Sequence, residues 1–77
     1  MNTNTPAKVK GMVIAANLAA MNDLLTTAAR RSTEARELAE TGECNAAIGA
    51  IFDVGSILDD ARNLYGAALT LHRTKGF

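Results

Sequence analysis

Reactive and bulky side chains are scarce in this chain. Its 77 residues include one cysteine, one histidine, one proline, one tyrosine, two phenylalanines and no tryptophan. The lone thiol, Cys44, excludes an intrachain disulfide framework and a thiolate-rich zinc site, and it fits a reducing compartment. An excess of either charge is also missing. Eight basic residues balance eight acidic ones, so no global basic field points to nucleic acid and no acidic surplus points to disorder. The opening MNTNTPAKVK lacks the apolar core of a signal peptide. Residues 11–21 are nearly all apolar, but Asn17, Asn22 and Asp23 interrupt the run before membrane-spanning length. The sequence reads as a soluble cytoplasmic protein with no membrane association.

What remains is small and apolar. Hydrophobic residues make up 48% of the chain, alanine chief among them. The length suits a single domain at the lower edge of what one core stabilises. Thr5-Pro6 is a helix start, because threonine can cap orphan amides and proline fits the first helical position without losing a bond. From there Ala7, Gly11, Ile14, Leu18, Met21, Leu25, Ala28, Ser32, Ala35 and Ala39 recur at alternating spacings of four and three, a heptad seam. Thr41-Gly42 ends the run, glycine supplying the left-handed conformation that closes a helix. Glu43 or Asn45 can cap a second helix.

That second helix carries Ala47, Ile51, Val54, Leu58, Ala61, Tyr65, Ala68 and His72, with a parallel row of Ala50, Ile57, Leu64 and Leu71. Arg73 and Lys75 suit its C-terminal dipole, and Gly76 stops it. The expected architecture is all-α, one domain over residues 1–77. It is an antiparallel two-helix hairpin with helix 1 at about 6–41, a turn at about 42–44 and helix 2 at about 45–73. Two such helices leave half of each wide apolar face wet. At ~25 cal/mol per Å² that exposure forfeits several kcal/mol, a large part of the ~5–15 kcal/mol that stabilises a domain. The ordinary remedy is a homodimer forming a four-helix bundle. Its core residues would be Ile14, Leu18, Met21, Leu25, Ile51, Val54, Leu58 and Tyr65.

Charges agree with pairing. Lys8, Lys10, Arg73 and Lys75 gather at the open end, and Glu34, Glu37, Glu40 and Glu43 near the turn. Lys8, Lys10, Glu37 and Glu40 oppose the dipole of their own helix, so helix propensity does not explain the placement. Hairpins packed head to tail would bring each basic end beside the partner's acidic tip.

Catalysis finds little support. Cys44 and His72 lie at opposite ends of one helix, about 40 Å apart at ~1.5 Å per residue, with no carboxylate to orient them. Asp59 and Asp60 diverge by roughly 100° around a helix. They fit ion pairing better than metal binding, as Asp59 with Arg62, Arg30 with Glu34 and Arg36 with Glu40. No metal or cofactor is expected.

Two binding surfaces compete. Around AIGAIFDVGS, Ile48 and Phe52 point away from the seam, with Gly55, Gly66 and Arg62 nearby. Each interior glycine costs ~1 kcal/mol against alanine, a cost understandable where another backbone approaches closely. Ile48, Phe52, Gly55 and Arg62 therefore form a candidate protein-docking patch. The alternative is that Phe52 covers a second dimer interface and the glycines carry no role. The other surface is the Lys8, Lys10, Arg73 and Lys75 end, which would serve RNA or a cyclic oligonucleotide. The cations there are few and no aromatic stands among them before Phe77.

The second-helix segment NAAIGAIFDVGSILDDARNLYGAALTLHR resembles the C-terminal half of small proteins encoded by Mu-like Pseudomonas phages, over about the last 35 residues. The likeness rests on the AIG start and the LYGAALTLHR end. Some helical-hairpin phage proteins disable host regulators, including quorum-sensing activators of the LuxR type, so the resemblance implies a dimeric inhibitor of a bacterial protein. It carries over no binding residue. Phage sponges for cyclic nucleotide signals are similar in size, but their aromatic and basic pocket residues have no counterpart here.

Overall fold

The computed structural model describes residues 5–75. They form three helices, α1 (Pro6–Glu40), α2 (Cys44–Ala50) and α3 (Val54–Arg73), and no strand occurs among the described residues. α2 and α3 make up one bent arm that packs along α1. The all-α hairpin expected from the heptads is the architecture observed.

Both ends of α1 follow from local chemistry. Thr5 Oγ1 accepts a hydrogen bond from the Lys8 amide at 3.2 Å, and Pro6 occupies the first turn. At the other end Gly42 has φ +85°. In that conformation the Glu43 amide donates to the Leu38 carbonyl at 2.9 Å and the Gly42 amide to the Ala39 carbonyl at 3.0 Å. This pair of bonds is the Schellman closure, which satisfies carbonyls left open at a helix end. The Thr41 hydroxyl adds a third bond, to the Leu38 carbonyl at 2.9 Å. Glu43 precedes α2 without making a side-chain cap. Asn45 falls inside α2 and caps nothing. The expected stop at Gly76 lies outside the described residues.

The second arm departs from the unbroken helix expected over 45–73. It breaks at residues 51–53, where the amides of Ile51, Phe52 and Val54 donate to the carbonyls three residues back, at 3.2, 3.3 and 3.0 Å. Such bonds wind the chain more tightly than an α-helix does. Composition accounts for the break. Gly49 and Gly55 flank it, and Ile48, Ile51 and Val54 are β-branched, so propensity is poor throughout. Asp53 is also drawn across the hairpin: Arg31 Nη1 donates to its Oδ1 at 2.8 Å. The seam nevertheless stays in phase, with Ala47 and Ala50 before the break and Val54 and Ile57 after it turned toward α1.

The interior is narrow. Its buried residues are Ala28, Ala35, Ala47, Ala61 and Ala68, and among the described residues no large side chain is fully buried. Half-buried residues flank them on each arm. On α1 these are Asn17, Leu24, Arg31 and Leu38 rather than the expected Leu18, Leu25, Ser32 and Ala39, which are exposed. The row shared by both readings, Ile14, Met21, Ala28 and Ala35, does face the second arm. Hydropathy favours Leu18 and Leu25 over Asn17 and Arg31. Each flank carries two leucines, Leu24 and Leu38 on the half-buried one and Leu18 and Leu25 on the exposed one. The half-buried flank also makes the cross-arm bonds: Arg31 reaches Asp53, and Lys10 reaches the end of α3. The molecule measures 62 × 20 × 12 Å. Its thinnest dimension is about one helix diameter, so neither broad side of the hairpin is covered.

Candidate interaction surface

One broad side of this single layer is lined by shallow apolar grooves between the arms. At mid-length Met21 and Leu25 of α1 meet Leu58, Ala61, Arg62 and Tyr65 of α3 around a volume of about 320 Å³. Toward the turn, Ser32, Ala35, Arg36 and Ala39 face Ala47, Ile48 and Ile51 around about 360 Å³. These grooves exist because the seam between the arms is alanine. Small side chains at Ala61, Ala35 and Ala47 form the floor, and larger residues about one helical turn away, Leu58, Tyr65 and Ile51, form walls that nothing presses against. Leu58 is 48% exposed and Tyr65 54%.

The expected dimer core therefore splits in two. Ile14, Met21 and Val54 are half-buried within the hairpin, whereas Leu18, Leu25, Ile51, Leu58 and Tyr65 are exposed. The expected docking patch splits as well. Phe52 is 88% exposed at the break in the second arm. Ile48 belongs to the groove near the turn and Arg62 to the one at mid-length. Gly55 and Gly66 approach nothing within the chain, since a Cβ at either position would meet no atom within 4 Å. A close intrachain approach is thus not what these glycines serve.

The basic end has a structural task that dipole reasoning within one helix misses. Lys10 Nζ donates to the His72 carbonyl at 2.6 Å and to the Thr74 carbonyl at 3.0 Å. Lys10 opposes the dipole of its own helix but satisfies the C-terminus of the antiparallel arm beside it, where open carbonyls favour a cation. Of the four expected anion-binding residues, Lys10 is committed to the fold while Lys8, Arg73 and Lys75 are exposed. At the opposite end Glu34, Glu37 and Glu43 surround a basin beside Leu38 and Thr41.

The remaining polar expectations sort plainly. Arg36 and Glu40 pair at 3.9 Å. Arg30 with Glu34 and Asp59 with Arg62 do not come within ion-pairing distance. The Arg31–Asp53 pair leaves no trace in local spacing, because its partners are 22 residues apart and only the hairpin register unites them. Cys44 begins α2 and His72 lies in the last turn of α3, so the fold keeps them at opposite ends. No group of three or more potential metal-ligating side chains occurs among the described residues.

The apolar character of α1 extends beyond the grooves. It contains an 18-residue window of mean hydropathy 1.3, of which 6% is buried, so by length and composition the helix is able to cross a membrane. The core helix of a soluble protein and a signal sequence can have the same length and composition. Comparison with family models, curated proteins and solved structures finds no significant match.

Proposed function

We propose that this chain is a non-enzymatic, homodimeric protein-binding module whose hairpins associate into a four-helix bundle. One observation carries the reading: among the described residues ten large apolar side chains are exposed, including Leu25, Ile48, Ile51, Leu58 and Tyr65 of the grooves and Phe52 at the break. Exposed apolar area of this kind is the usual mark of a protein-contact surface. Phe52 offers a second contact, apart from the grooves, on which another protein can be anchored. Aromatic side chains are prominent among such anchors. In line with the resemblance of the second arm to proteins of Mu-like Pseudomonas phages, we propose a bacterial host regulator as the target, an activator of the LuxR type being the first to test.

The test is a Phe52→Asp variant, presented beside the unaltered protein to a purified LuxR-type regulator. Binding should be lost while helicity and dimerisation are kept. A variant that binds undiminished would remove Phe52 from the contact. One that falls apart into single chains would make Phe52 part of the dimer instead.

A further inference from the structure

We infer that the groove-bearing face is covered by a second copy of this chain, lying antiparallel to the first, with a twofold axis crossing the grooves near Leu25 and Leu58. This rests on the homodimer proposed above and specifies its face and its register.

Area gives the first argument. A compact chain of 8.1 kDa exposes about 4,500 Å², whereas this hairpin exposes 5664 Å². The surplus of about 1,200 Å² exceeds the ~800 Å² per partner that a standard stable interface covers. Exposed Leu18, Leu25, Ile51, Leu58 and Tyr65 would supply its apolar centre. A twofold contact has to be self-complementary, and the mid-length groove suits an axis, because Met21 and Leu25 straddle the middle of α1.

Charge gives the register. Residues 6–22 and 66–75, which form the open end, contain Lys8, Lys10, Arg73 and Lys75 and no carboxylate. The turn end holds Glu34, Glu37, Glu40 and Glu43 against Arg30 and Arg36, since Arg31 is tied to Asp53. A parallel dimer would set cations beside cations. With the axis near Leu25, the antiparallel dimer brings Lys8 level with the end of the partner's α1, where Glu40 stands beside the groove residue Arg36.

The experiment is a reciprocal charge swap, with self-association of the full chain measured by sedimentation at low salt. Lys8→Glu and Glu40→Lys each move a charge to the end of α1 whose dipole favours it, so neither should unfold the hairpin. Circular dichroism checks that. In an antiparallel dimer every such contact occurs twice, so each single variant should weaken association about tenfold, and the double variant should regain most of the loss. Within one chain Lys8 and Glu40 are about 48 Å apart along α1, so recovery cannot arise inside a copy.

If the double variant is no tighter than the singles while the unaltered chain still dimerises, the antiparallel register is wrong and the homodimer stands. If the unaltered chain sediments as a compact folded monomer at its highest soluble concentration, both fail. Flotation of the chain with lipid vesicles in place of self-association would assign the face to a membrane and also overturn the inference.

Discussion

Leu58 provides the sharpest thermodynamic test of what the open face is for. Complete burial of a leucine is worth ~1.5–3 kcal/mol. Leu58 is 48% exposed, so a partner that covers it gains about 1 kcal/mol more per copy. In a twofold dimer the contribution counts twice. Leu58→Ala leaves only a methyl group, so it should cost association about 2 kcal/mol, or about thirtyfold in Kd. Truncating Met12 is the matched control. It is 62% exposed but lines neither groove, and Met12→Ala should change Kd by less than about threefold. Sedimentation velocity over a dilution series reads both constants, and far-UV circular dichroism confirms that both variants stay helical. A Leu58→Ala chain that dimerises as tightly as the original, or a Met12→Ala chain that weakens as much, would show that the driving force lies elsewhere.

The other predictions concern the fold itself, with chain concentration held fixed because any self-association would contribute to apparent stability. Lys10→Met keeps the aliphatic stem but removes two charged donors from the C-terminus of α3. These bonds are solvent-exposed, which limits their worth to about 0.5–1 kcal/mol, so the midpoint of thermal unfolding should fall by about 3–6 °C. Unchanged melting would mean that water satisfies those carbonyls equally well. Glycines in different conformations should respond in opposite directions. Gly42→Ala forces a Cβ into the left-handed region and should cost about 1–2 kcal/mol by urea titration. Gly66→Ala, in mid-helix with open space around it, should stabilise by about 1 kcal/mol. If the Gly66 variant also loses regulator binding, that glycine admits a partner's backbone.

Most of the fold was legible because it is local. Thr5-Pro6 and Thr41-Gly42 bound α1 as their chemistry demands, and the apolar spacing fixed two arms in antiparallel contact. The choice between flanks of the seam was not legible. Each flank offers two leucines, Leu18 and Leu25 on one and Leu24 and Leu38 on the other, so hydropathy separates them weakly, and the cross-arm partners of Lys10 and Arg31 lie with the second. Those partners are distant in sequence, so periodicity carries no trace of them. The break at residues 51–53 had a visible signal in Gly49, Gly55 and three β-branched neighbours. The same glycines also fit a docking strip on an unbroken helix, so the signal alone does not place a break. At the surface Ile48, Phe52 and Arg62 are all exposed, but they are divided between two grooves and the break. Only an unbroken helix would hold them in one patch, and the break at residues 51–53 divides it.

The alanine seam carries a consequence for how such a protein would operate in a cell. With so little free energy stored between its own arms, a chain whose twin covers the open face gains much of its fold at the moment of encounter. While most copies remain unpaired, the assembled form then rises with the square of the amount synthesised. Modest changes in expression would act as a near-threshold control, with no dedicated regulator required.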